Sequence, residues 1–157
     1  EWVDATVPAI QENLVATVDE WWPDFENMPR TLIHNDFNPR NSLFKKTDRG
    51  LRLCAYDWEL ATLGVPQHDL AELLCFILSP RATREEVLAY LNLHRTCLQE
   101  ASGQAIDPST WVHGFRLALR DLILNRFSMY SMIHTYRPQK FLGRVIRTWS
   151  RLYDWFD

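Results

Sequence analysis

Three prolines limit what the C-terminal half of this chain can become. Pro80, Pro108 and Pro138 interrupt apolar residues that recur at helical spacing. A proline lacks the N–H that an inner helical turn needs and clashes with the turn before it, so each marks a helix boundary. The pattern predicts helices over 67–79, 83–100, 109–130 and 139–156. Upstream, Val3, Val7, Ile10, Leu14, Val18 and Trp21 recur every three or four residues, with Glu12, Asp19 and Glu20 off that line. This predicts a further amphipathic helix ending near Trp22-Pro23. Between these regions, Ser42-Leu43-Phe44 and Leu51 to Tyr56 are short strand-like runs, and Lys45 to Gly50 has the charge and terminal glycine of a turn. Residues 35–41 are too rich in turn formers for regular structure. The predicted fold class is mainly α with one small β-hairpin.

A chain of 157 residues, 46% of them hydrophobic, can bury one sizeable core, and no repeat or polar linker divides it. We read 1–157 as a single domain. The net charge of −3 gives no general attraction to nucleic acid or to an anionic membrane. No apolar run approaches the roughly 20 residues of a membrane span, and Glu1-Trp2-Val3-Asp4 lacks the order of a signal peptide. Cys54, Cys75 and Cys97 are odd in number, widely spaced and flanked by apolar residues. That suits buried reduced thiols and a cytoplasmic protein. The chain starts inside an amphipathic pattern, without a Met, and so reads as a fragment cut at Glu1.

Chemistry concentrates in His34-x-Asp36-x-x-x-x-Asn41, followed by Asp57 at the end of an apolar run. The spacing matches a kinase catalytic loop, where an Asp takes the acceptor hydroxyl's proton and an Asn five residues on holds magnesium. Phosphoryl transfer is mostly positioning and charge stabilisation, so the protein must present oxygen ligands to a hard cation. Asn41 and Asp57 could supply them. Asp36, on the same loop, could orient and deprotonate a hydroxyl without being consumed by the metal. His34 fits a brace better than a reactant. Read alone, Asp36 fits a turn cap and Asp57 fits a water-exposed strand end.

Three successive segments resemble motifs of the aminoglycoside phosphotransferase and choline kinase superfamily: Leu32 to Leu43, Ala55-Tyr56-Asp57-Trp58-Glu59, and Gly64 to Ala71. The resemblance implies the helical C-terminal lobe of a protein-kinase-like fold, using ATP and magnesium. It implies that Asp36 is the catalytic base, that Asn41 and Asp57 bind the metal, and that Asp69 ties the next helix to the catalytic loop. Its partners would be a small-molecule hydroxyl acceptor and the N-terminal, nucleotide-clamping lobe. This chain lacks that lobe's parts: it has five scattered glycines, and its lysines are Lys45, Lys46 and Lys140. Asn35 stands where many members carry Gly.

The function expected is transfer of the γ-phosphoryl group of ATP to a hydroxyl of a small metabolite or antibiotic, with the fragment inactive alone. A non-catalytic, pseudokinase-like binding module is the alternative. A metal-dependent hydrolase using His34, Asp36, Asp57 and Asp69 as ligands is a weaker third. His68, His94, His113 and His134 lack close-spaced partners and read as surface or core histidines. Acidic residues are sparse in the C-terminal helices, which favours a neutral or anionic acceptor over a polycationic one.

Overall fold

The computed structural model describes residues 6–157. Val3 of the first predicted helix and the whole segment Glu1-Trp2-Val3-Asp4 lie outside the described residues.

The first predicted helix is two, α1 (Thr6–Ala16) and α2 (Val18–Asn27). They part at Thr17, whose backbone N–H and hydroxyl both donate to the Asn13 carbonyl at 2.9 Å. Such back-bonding from a hydroxyl bends a helix. Pro23 does not end α2, contrary to expectation. Trp21 and Phe25, one turn apart, are both buried and carry the helix past it. The Trp21 indole N–H also donates to the Leu14 carbonyl at 3.0 Å, stapling α2 back onto α1.

Two small antiparallel sheets follow. The expected hairpin is β2 (Ser42–Thr47) with β3 (Gly50–Ala55), paired from Ser42↔Ala55 to Thr47↔Gly50. Its turn is only Asp48-Arg49, tighter than expected, and Gly50 takes φ +105°, which a glycine adopts without penalty. The second sheet pairs β1 (Thr31–Ile33) with β4 (Thr62–Gly64). It was not foreseen, because three-residue strands carry no readable period. Its effect is topological: everything from His34 to Ala61, including the hairpin, is an excursion closed at its base.

Five helices complete the fold, not four: α3 (Gln67–Ile77), α4 (Arg84–Ser102), α5 (Pro108–Leu124), α6 (Arg126–Tyr136) and α7 (Leu142–Phe156). The starts of α4 and α5 follow local chemistry. Thr83 and Glu86 form a reciprocal capping box, and Asp107 caps α5 ahead of Pro108 at its first position. The predicted helix over 109–130 divides at Asn125. There the amide side chain donates to the Asp121 carboxylate at 2.5 Å, and Asn125, at φ −99° and ψ −77°, closes α5 and opens α6. Buried Phe115, Leu117, Ala118, Leu119, Leu122 and Ile123 make α5 the central helix, packed on α3, α7, α1, α2, α4 and α6. Each fully buried large side chain, such as Phe115, Phe127 or Trp149, contributes about 1.5–3 kcal/mol.

The cysteines are all free, but their burial differs from the expectation: Cys75 is buried, Cys54 half-buried and Cys97 exposed. No helix among the described residues is long and apolar enough to cross a membrane.

Candidate active site

The loop 34–41 is fixed first by its main chain. Asp69, in the first turn of α3, accepts the backbone N–H of His34 at 2.7 Å and that of Asn35 at 2.9 Å, one on each carboxylate oxygen. Charge-assisted bonds of this kind are the stronger class. Asn35 adopts a left-handed conformation, φ 59°, which explains why glycine suits this position elsewhere and why Asn is tolerated. The Arg126 guanidinium, from the start of α6, donates to the Asn35 carbonyl, and the Asn35 amide donates to the Leu60 carbonyl at 3.1 Å.

His34 is buried and braces the loop against the hairpin. Its Nε2 bonds the Tyr56 carbonyl at 2.8 Å, and its ring lies 4.7 Å from that of Trp58. Tyr56 faces Asn41 across the continuation of the hairpin, donating its N–H to the Asn41 carbonyl at 3.0 Å. Asp57 is next in the chain, exposed, and left-handed at φ 64°. Such a backbone in a non-glycine residue costs energy, and residues of this kind cluster at working sites.

Asp36 and Asn41 are in direct contact. The Asn41 amide nitrogen donates to Asp36 Oδ2 at 2.7 Å and to the Asp36 carbonyl at 3.0 Å. Asp36 Oδ1 accepts from the Asn38 amide at 3.0 Å and lies 2.9 Å from the Tyr130 hydroxyl. Asn38, fully buried, in turn accepts from the backbone N–H and Nε of Arg40, both at 3.1 Å.

Sequence reasoning missed Tyr130, Glu72, Arg40 and Arg126. The Tyr130 hydroxyl lies 3.2 Å from Glu72 Oε1 and accepts from Arg40 Nη2 at 3.2 Å. Burial, reinforced by the Glu72 and Asp36 charges, holds this phenol neutral by pushing its pKa far up. Glu72 has no exposed surface, and burial raises its carboxyl above the ordinary range against the opposing pull of His68 and Arg126. An acidic residue one turn after Asp69 on an otherwise apolar helix face was the available signal for Glu72. Nothing local marks Tyr130, which arrives from 94 residues away. His68, read as isolated, pairs with Asp121 at 3.2 Å beneath the site.

The hydrolase reading fails on this geometry. Asp69 is spent on two backbone amides, and no three His, Cys, Asp or Glu side chains among the described residues could jointly hold a metal.

A mainly helical lobe with an Asp–Asn loop held between a hairpin and the first turn of a buried helix is the class of catalytic lobe found in protein-kinase-like phosphotransferases. The chain belongs to the phosphotransferase enzyme family, whose model matches residues 1–114. Acyl-CoA dehydrogenase family member 11 from Pongo abelii and from Homo sapiens are each 35% identical to it over 79 residues, covering 48% of this chain and 9% of theirs. The match thus spans under a tenth of those relatives' length. No solved structure matches the chain. Arg126 and Tyr130 fall beyond the family-matched span.

Proposed function

We propose that this chain is the catalytic lobe of an ATP- and magnesium-dependent small-molecule kinase, with Asp36 as general base and Asn41 and Asp57 as magnesium ligands. The observation that carries the reading is the 2.7 Å contact between the Asn41 amide nitrogen and Asp36. It commits the nitrogen end of Asn41 to the base and leaves Oδ1, the end a hard cation takes, without a partner among the described residues. The exposed Asp57 carboxylate, equally unpartnered there, is the second oxygen ligand. Two protein oxygens are few for magnesium, which fits a metal that also takes water and substrate phosphates.

When bound, the metal offsets charge on the transferring phosphoryl group. The chain's own residues do the rest. Asn41 and Asn38 hold the Asp36 carboxylate in place, and Asp36 receives the acceptor hydroxyl's proton as the oxygen attacks. The hairpin face that carries Asn41 continues through Leu43 and Cys54, whose half-exposed apolar surface suits a purine base. A phosphate cover and its lysine come from another lobe, as does full turnover.

The test is Asp36→Asn in the full-length protein. Turnover should fall by about 10²–10⁴-fold, the usual share of a general base, with ATP affinity largely kept. Asp57→Asn should damage both. Turnover retained in Asp36→Asn would refute the reading. Manganese broadening of amide signals in this labelled chain, centred on 34–41 and 56–59 when ATP is present, gives a check independent of turnover.

A further inference from the structure

Next to the proposed base stands a cation without a counter-ion. Ion pairs among the described residues join His68 to Asp121, His113 to Asp24, and Arg116 and Arg120 to Asp157; none includes Arg40. Yet Arg40 is held firmly. Its backbone N–H and Nε both bond Asn38, and its carbonyl accepts from the Tyr56 hydroxyl. Its guanidinium lies over the Phe141 ring at 4.6 Å and over the Phe76 and Tyr130 rings at 5.5 Å each. Stacking on ring faces orients a guanidinium without neutralising it.

An arginine this close to Asp36 would ordinarily close onto the carboxylate. The Tyr130 hydroxyl prevents that, standing 2.9 Å from Asp36 Oδ1 and 3.2 Å from Arg40 Nη2. Both charged groups therefore stay available side by side. The edge of the guanidinium bearing Nη1 has no protein partner among the described residues, and Arg40 is exposed. A second guanidinium, Arg126, anchors the same loop from α6. The one further carboxyl group in the network, Glu72, is completely buried behind Tyr130.

We infer that Arg40 is the anion-recognition residue of the acceptor site, and that the acceptor is a hydroxyl compound carrying a carboxylate or phosphate group a few bonds from the hydroxyl that is phosphorylated. Asp36 takes the hydroxyl while the free fork of Arg40 takes the oxyanion, as the planar donor geometry favours. This rests on the proposed role of Asp36 and deepens it by naming the substrate class.

The experiment compares anionic with neutral acceptors, glycerate with glycerol and a sugar phosphate with its free sugar, in the full-length protein and in Arg40→Gln and Arg40→Lys. The expected result is a preference for the anionic partner, expressed as a ratio of kcat/KM values. That ratio falls about 10- to 100-fold in Arg40→Gln, the worth of one charged hydrogen-bonded contact, and is partly restored in Arg40→Lys. Calorimetric titration of the anionic compounds without ATP should show the same loss of affinity, and this arm holds even if Asp36 is not the base. Equal loss for anionic and neutral acceptors, together with a raised KM for ATP, would assign Arg40 to the phosphoryl group and overturn the inference. No preference for anions in either assay of the unsubstituted protein would overturn it too. A carboxylate-only or phosphate-only preference identifies which oxyanion the site accepts.

Discussion

Asp69 and His34 are joined by a carboxylate accepting a backbone N–H at 2.7 Å, so the first turn of α3 holds the loop 34–41 by its main chain. The other oxygen of Asp69 does the same for Asn35. Asp69→Asn keeps one acceptor and turns an amide NH₂ toward a backbone N–H. Losing one charge-assisted bond and leaving that donor unpaired should cost about 2–4 kcal/mol. Urea denaturation measures it, and a loss under about 1 kcal/mol would show that the loop stands without this tie.

Glu72 gives the fold a definite pH dependence. Burial raises its carboxyl above the ordinary 4.5, so the folded state holds this proton at pH values where the unfolded state has released it. The contribution to stability is complete below the unfolded pKa and is lost as pH rises through the raised folded value. Glu72→Gln cannot ionise, so its denaturation midpoints measured between about pH 4.5 and 8 should lack that decline. Parallel curves for both proteins would mean the Glu72 carboxyl is not perturbed.

Gly114 marks the closest approach of α5 to its neighbours. A Cβ there would stand 2.6 Å from both Gln67 Nε2 and Met28 Cε. Alanine gains about 1 kcal/mol of helix propensity, but overpacking costs about 1–3 kcal/mol and disturbs the 3.2 Å bond from Gln67 to the Trp111 carbonyl. Gly114→Ala should therefore lower stability by up to about 2 kcal/mol in thermal or urea unfolding. A rise in stability would show that the two flexible side chains yield without loss.

Much of the site was legible because its chemistry is local. The spacing of Asp36 and Asn41 lies within one loop, so both could be singled out together, while their hydrogen bond is a finding of the structure. Asp69 was singled out by resemblance alone, which implied a tie to the loop, and the bonds to the His34 and Asn35 amides come from the structure. Asp57 was singled out by its position after an apolar run, while its left-handed backbone was not, since an Asp tolerates that conformation without specifying it. The helix breaks at Thr17 and Asn125 escaped because each depends on one side chain competing for a nearby backbone or carboxylate group. Periodicity averages over many residues and passes through such points.

The amino-acid order by itself determined the β2–β3 hairpin, the placing of Asp36 and Asn41 on one loop, and which stretches after Pro66 are helical, though not the break at Asn125. These are consequences of backbone sterics, side-chain period and turn chemistry. Tertiary structure alone decided that Tyr130 stands between Asp36 and Arg40, that Glu72 is sealed behind it, and that β1 and β4 close the base of the loop. Those relations join residues far apart in the chain. They follow from how buried faces of α3, α5 and α6 pack into one core, and packing at native density is a property of the whole assembly that no short stretch of sequence contains.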